Sequence, residues 1–397
     1  PAEIIQEDID RLTQRCPGIK VHLKTELGVD ISLNELKERH DAVLMTIGSW
    51  WGKKMDIPGE AHPNVVDGVG FLRQINAGER PEMPEIVAVV GGGDVAMDAC
   101  RAALRLPGCK RVKIIYRRGP DEIPAREIEL RHAQKEGVEL IYNTQQKAIE
   151  AVGQNMLLYC VQTQGGETDI DGRRRPVEIP GSEFSIECGL IIAAVGQQSE
   201  CDHLGDLGLM GSDRVTTDWV TMRTADSQVF AAGDGAFGGS TIVMAMSHGQ
   251  RAAYYIAAFL EGREDPLAYR TPFRTRRVEV AQDIQWEKNA LREPVFLGIG
   301  DDPTEFQEVE ATYDSETARD EAARCYRCDA ETGSADYSVG HREDLFSMAR
   351  TNPNDQTKLK VMFDKRLRLR PDPFPSGRLA TLDDLTFLPA NLSRLVI

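Results

Sequence analysis

Residues 87–118 read VAVVGGGDVAMDACRAALRLPGCKRVKIIYRR, and their reading decides the fold. An apolar run meets three glycines, an Ala-rich helical stretch follows, and a second apolar run closes the unit. Gly91-Gly92-Gly93-Asp94-Val95-Ala96 fits G-x-G-x-x-A between a strand and a helix. In such a unit the first glycine permits a tight turn, and Gly93 lets a pyrophosphate approach the backbone. Ala96 lets helix and strand pack closely, and the helix N-terminus faces the phosphates. A structural glycine turn would also satisfy the motif. The second strand at the right spacing favours the nucleotide.

The end of that second strand selects the nucleotide. A unit specific for NAD ends it with Asp or Glu, which takes the ribose hydroxyls. This one ends Tyr116-Arg117-Arg118. A carboxylate would repel a 2′-phosphate, whereas guanidinium groups bind it through paired hydrogen bonds. NADP(H) is the expected ligand, and the alternative is a solvated basic loop.

Composition narrows the class. The chain has 397 residues, 41% hydrophobic and 28% charged, enough for two or three soluble domains. No run reaches the ~18 apolar residues of a membrane span. The net charge of −16 argues against nucleic acid or an anionic membrane as the main partner. Eight cysteines lie at 16, 100, 109, 160, 188, 201, 325 and 328, and only the last two form C-x-x-C. That scatter, without a signal peptide, fits a reducing cytoplasm better than a disulfide framework. Pro1 opens on what reads as a helix already under way, as in a piece of a longer polypeptide.

Upstream of the glycine turn the pattern gives a helix over 1–15, with Ile4, Ile5, Ile9 and Leu12 at near-helical spacing. It then gives a strand over IKVHLKTEL (19–27), a short helix over 33–40, and a buried strand over DAVLMTIG (41–48). Downstream come a helix over 127–137, strands through VELIYNTQQKAIEAV and NMLLYCVQTQ, and a hairpin or loop over DIDGRRRPVEIPGS (169–182). CGLIIAAVGQQ (188–198) is a buried strand carrying Gly196. DAVLMTIG and GLIIAAVG echo one another around a complete β-α-β unit, as if the chain leaves one domain, builds a second and returns. QVFAAGDGAFGGSTIVMAMSHGQRAAYYIAAFLEG (228–262) reads as strand, Gly-Asp turn, Gly-rich loop and long helix. Beyond 263 the periodicity weakens. The divisions expected are 1–80, 81–198, 199–262 and a less regular 263–397.

Gly233-Asp234 at a strand end suits hydrogen bonds to a polyol, and Ser240 is a fair N-cap for the helix that follows. The stretch AAGD…GGSTIVMAMSHGQRAA resembles the C-terminal flavin-binding motif of two-dinucleotide-binding-domain flavoproteins. The glycine turn, YRR and the Glu-Ile-Pro-Ala-Arg-Glu segment from 122 resemble the small (β) subunit of NADPH-dependent glutamate synthase. EATYDSETARDEAARCYRCD (310–329) resembles the tail of its relatives. The resemblance covers about residues 1–330 and rests on the order of several motifs.

The resemblance implies an α/β, glutathione-reductase-like fold of two Rossmann-like domains, with the NADPH domain inserted in the FAD domain. Hydride would pass from NADPH to FAD. Gly233, Asp234, Ser240, Thr241 and Ile242 would contact FAD, Ile47 and Gly48 would lie near it, and Gly196 joins the cofactor-binding positions. Two departures stand out: a family-type FAD pyrophosphate grip near the N-terminus, and the Cys-rich segments for [4Fe-4S] clusters that precede it, are absent. The iron–sulfur centres would belong to a further N-terminal part or to a partner.

No protein acid or base is required for hydride transfer, so no catalytic residue is assigned. Cys325 and Cys328 offer two thiolates of a four-thiolate metal site, or are incidental free thiols. The basic run KLKVMFDKRLRLR (358–370) suits an acidic partner or a solvated face, and LDDLTFLPANLSRLVI (382–397) is apolar for a free tail. Two readings stand. One is an NADPH-dependent flavin oxidoreductase, the electron-input module of a complex or oligomer with a redox partner or fused catalytic domain. The other is a non-catalytic nucleotide-binding or assembly subunit with an incomplete flavin site.

Overall fold

The computed structural model describes residues 2–168, 174–199, 204, 208–211, 213–269 and 290–324. Cys201, Cys325, Cys328, the basic run 358–370 and the apolar stretch 382–397 lie outside the described residues. The chain begins with α1 (Ala2–Arg15), α2 (Leu33–Arg39), β1 (Val43–Met45) and β2 (Trp51–Gly52). Next come β3 (Val65–Asp67), α3 (Gly68–Asn76), β4 (Ile86–Val90), α4 (Asp94–Leu104), β5 (Arg111–Ile115), α5 (Glu127–Lys135) and β6 (Glu139–Ile141). Then follow β7 (Thr144–Val152), β8 (Asn155–Thr168), β9 (Arg174–Cys188), β10 (Leu190–Ala193) and β11 (Gln197–Gln198). The described elements end with β12 (Val229–Ala231), α6 (Asp234–Phe237), α7 (Ile242–Leu260) and α8 (Ser315–Ala323).

The glycine-turn unit sits in a five-stranded parallel sheet of order β3-β10-β4-β5-β6. A strand covered on both faces needs apolar residues at every position, and IVAVV supplies them. Val87 and Val89 face the helices with Met97, Ala103 and Phe71. Ala88 and Val90 face the antiparallel β7-β8-β9 meander with Leu158, Cys160 and Ile186. The period of two thus joins three layers. β3 pairs into this sheet and α3 packs on it through Phe71 and Ile75, so it takes an edge strand from upstream of residue 81.

A buried ion network locks α4 to α5. Glu136, 1% exposed, accepts from Arg101 at 3.0 Å and Arg105 at 2.8 Å. Glu129 takes the other side of Arg101 at 2.6 Å.

The second unit is built on the parallel pair β1-β12. Met45, Val229 and Ala231 face Leu33, Leu209 and Val215, while Phe230 faces Ala252 and Tyr255 of α7. Passage between units is made twice, and the two passages pair: β2 runs antiparallel to β11, and Lys53 N–H donates to the Gly196 carbonyl at 2.9 Å. The echoing strands therefore do not pair with one another. β1 pairs with β12, and β10 lies inside the larger sheet.

Residues 290–311 form a strap across the larger unit. His132 stacks on Phe296 at 4.5 Å and meets Glu310 at 3.2 Å. Arg131 pairs with Glu293 at 2.7 Å, and Arg80 lies 4.5 Å over Phe306 while bonding the Thr304 carbonyl.

One local expectation is corrected. No strand forms over 19–27: Ile19, Val21 and Leu23 are exposed, and nearby only an isolated Leu27–Ile31 bridge occurs. An alternating pattern without a partner strand has no hydrogen bonds to hold it. The hairpin alternative for 169–182 stands: β8 and β9 pair antiparallel down to Thr168 and Arg174, and residues 174–182 lie in β9, an edge strand where Pro176 and Pro180 are tolerated.

Candidate nucleotide site

The site lies where the strand order reverses, between β4 and β10. In an open parallel sheet the crevice at that switch point, beyond the strand C-termini, holds the ligand. Three glycines there have three different reasons. Gly91 has φ 140°, and a Cβ on it would stand 2.2 Å from the Ala194 carbonyl oxygen. A Cβ on Gly92 would meet the Tyr116 ring at 2.6 Å. Gly93 caps α4, offers no side-chain cap, and faces open space. The first two serve packing; the third leaves the helix N-terminus bare for an anion. Ala96 is fully buried against the strand, and Val95 packs toward Gly68 at the start of α3.

Asp94 stands in the first turn of α4, but its carboxylate accepts from the Arg126 N–H at 3.2 Å and pairs with the Arg126 guanidinium at 3.5 Å. It anchors the loop that closes over the turn, where the Ala125 N–H donates to the Gly92 carbonyl at 3.0 Å.

β5 ends at Ile115, so Arg117 and Arg118 stand in the turn beyond it. They are not equivalent. Arg117 is exposed, whereas Arg118 is buried and donates from Nε to the Arg174 carbonyl at 2.9 Å. Arg174 in turn reaches Glu122 through its backbone N–H at 2.9 Å and its guanidinium at 3.3 Å. Tyr116 donates its hydroxyl to the Glu122 carbonyl at 2.6 Å. Sequence reading missed Glu122, Arg126 and Arg174. The three arginines at 173–175 were the available signal, read there only as part of a hairpin or loop.

Gly196 has φ 138° beside Lys53, whose ammonium pairs with Asp213 at 2.7 Å. Hydrogen bonds from Arg214 and Lys53 hold the Asp213 carboxyl well below the usual range.

A second set of predicted residues converges in the smaller unit. Gly235 passes so close to Ile47 and Gly48 that a Cβ would meet Ile47 Cγ1 at 2.8 Å and the Gly48 N at 3.1 Å. Gly48 has φ 70°, and its carbonyl accepts from Ser199 Oγ at 2.6 Å. Gly233 has φ 71° and faces open space, and Asp234 accepts from Ser240 Oγ at 3.2 Å. The expected Ser240 cap is corrected by one residue: Thr241 caps α7, accepting from Met244 N–H at 3.2 Å. Ile242 begins α7 and is exposed. The open face at Gly233, the Asp234 carboxylate and the exposed start of α7 suit one side of a flavin.

Four of the described cysteines are poor nucleophiles. Burial pushes the Cys100, Cys160 and Cys188 thiols up to about 12 and Cys109 to about 11, so none is a thiolate at neutral pH. Among the described residues there is no cluster of metal-ligating side chains, and no helix is long and apolar enough to cross a membrane.

A family model, that of the pyridine nucleotide-disulphide oxidoreductases, matches residues 3–249. The chain belongs to this family. It is 34% identical over 351 residues to the NADP(+)-dependent formate dehydrogenase subunit beta of Moorella thermoacetica, covering 83% of this chain and 48% of that one. It is 31% identical over 364 residues to the NADPH-Fe(3+) oxidoreductase subunit beta of Geobacter sulfurreducens, covering 83% and 54%. The expected kinship with glutamate synthase is found: the NADPH enzyme's small chain from Azospirillum brasilense is 32% identical over 268 residues, covering 63% and 55%. The chain thus spans about half the length of these curated relatives. FprA, an oxidoreductase of Mycobacterium tuberculosis, has the same fold, at a TM-score of 0.53 and 18% identity over 60% of this chain and 68% of that one. The two-domain α/β fold and the oxidoreductase family expected from the sequence both stand.

Proposed function

We propose that this pyridine nucleotide-disulphide oxidoreductase is an NADPH-dependent, FAD-linked electron-input module. The observation that carries the reading is the bare N-terminus of α4 at Gly93, opening on the switch-point crevice with Arg117 beyond the neighbouring strand. Gly91, Gly92 and Gly93 shape the pyrophosphate seat, with Val95 and Ala96 packing behind it. Asp94 positions the covering loop, and Arg117 takes the 2′-phosphate. Ile47, Gly48, Gly196, Gly233, Asp234, Ser240, Thr241 and Ile242 line the flavin side. NADPH and FAD, when bound, supply the hydride chemistry, and the chain's own residues bind, orient and screen them.

In this reading the flavin-binding unit comprises 1–80 and 199–262. The nicotinamide unit comprises 81–198, its sheet extended by β3 and α3. The remaining flavin contacts and [4Fe-4S] centres fall to a further polypeptide segment or partner subunit. The names of the relatives, two beta subunits and a small chain, support a place in a complex that passes electrons onward.

The test is anaerobic titration of the full chain, reconstituted with FAD, with NADPH and then NADH. Bleaching of the flavin absorbance by NADPH, and far less by NADH, supports the reading. A flavin left yellow by NADPH while the chain still binds NADPH sinks it and favours a nucleotide-binding subunit.

A further inference from the structure

The turn after β5 carries two arginines, yet its geometry splits them. Arg118 is 8% exposed, and its Nε is engaged by the Arg174 carbonyl at 2.9 Å. Arg174 arrives from the β8–β9 hairpin, more than fifty residues further along the chain. Its side chain is 55% exposed and passes over Gly165, where a Cβ would stand 2.9 Å from Arg174 Cδ. A side chain at 165 would block that path.

Arg174 is tied to the nucleotide turn by a continuous line of contacts. The Tyr116 ring fills the space beside Gly92, and its hydroxyl bonds the Glu122 carbonyl at 2.6 Å. The Glu122 carboxylate takes the Arg174 N–H at 2.9 Å and its guanidinium at 3.3 Å. A bare carboxylate at this place would oppose a 2′-phosphate. Here it is 13% exposed and has the Arg174 guanidinium against it. A guanidinium carries five N–H donors, and Glu122 takes one of Arg174's, leaving donors for an anion.

We propose that Arg174 is a further specificity-determining residue, a guanidinium from the hairpin that binds the adenosine 2′-phosphate alongside Arg117. Arg118 is the positioning residue, holding the hairpin backbone so that Arg174 meets the turn. This rests on the NADPH reading of the glycine turn.

The test uses the full chain with 2′,5′-ADP and 5′-AMP as probes, which differ only in the 2′-phosphate and need no flavin. Arg174→Ala and the milder Arg174→Gln should each weaken 2′,5′-ADP about tenfold, the scale of one charge-assisted hydrogen bond, and leave 5′-AMP unchanged. Arg118→Ala should lower the same ratio several-fold. A ratio unchanged in both Arg174 variants, or equal weakening of both probes, overturns the role of Arg174 alone. A wild-type chain that binds the two probes equally overturns the NADPH reading, and this proposal with it.

Discussion

A methyl group on Gly91 would stand 2.2 Å from the carbonyl oxygen of Ala194, because two neighbouring strands end at the same level. With φ at 140°, Gly91→Ala meets both a backbone clash and backbone strain. Strain of this kind costs about 2 kcal/mol, and the clash adds to it. The variant should therefore unfold at clearly lower denaturant, measured by circular dichroism.

Gly93→Ala should behave in the opposite way. Its φ is −90° and the space beyond is open, so the fold tolerates a methyl group there. Replacing a glycine N-cap with alanine costs at most about 1 kcal/mol. If α4's N-terminus seats the pyrophosphate as proposed, the methyl group meets it, and NADPH affinity by calorimetry should fall about tenfold or more while stability is nearly kept.

Glu136→Gln should destabilise by about 3 kcal/mol, since among the described residues it leaves Arg105 without a counter-charge and Arg101 with Glu129 alone. Burial acts to raise the Glu136 carboxyl, but hydrogen bonds from Arg105 and Arg101 overcome it and hold the group below its ordinary value. Its contribution is therefore complete above the ordinary carboxylate range and lost as pH falls through the lower folded value. Denaturation curves taken from neutral pH into acid should show wild type and variant converging.

His248 supplies a second acid-sensitive group. It is buried against Trp219 and Phe237, and neither ring nitrogen has a hydrogen-bond partner. Burial, helped by the Arg251 charge, brings it down to about 4. The unfolded chain, near pH 6.5, binds the proton first. Stability is thus lost as pH falls from about 6.5 towards about 4. His248→Phe keeps a ring in place and should flatten that part of the stability–pH curve, with little change at neutral pH.

The nucleotide grip was legible because its signals are local. Strand, glycines and helix are adjacent in the chain, and Gly91 and Gly92 answer demands made by neighbouring strand ends, at Ala194 and Tyr116. Thr241 displacing Ser240 as the cap shows the resolution of such signals, since both side chains can accept the same kind of bond. The difference between Arg117 and Arg118, read together as 2′-phosphate ligands, was not legible because the Arg174 carbonyl that meets Arg118 arrives from β9, and no local pattern announces a distant strand. The 19–27 stretch failed for the converse reason: it has the alternation of a strand and nothing beside it. Fidelity of a local motif therefore ends where a remote segment supplies or withholds the hydrogen bonds.

The strap at 290–311 follows α7 of the β1–β12 unit in sequence, yet it is fastened to α5 and to Arg80, beside the five-stranded sheet. Arg292 then holds α8 through its N–H to Glu321 at 3.0 Å. The chain's downstream mooring is thus on the opposite unit from the one it has just left. If the two units shift against each other, residues 290–324 travel with the five-stranded sheet, and their distance from the β1–β12 pair changes with the stroke.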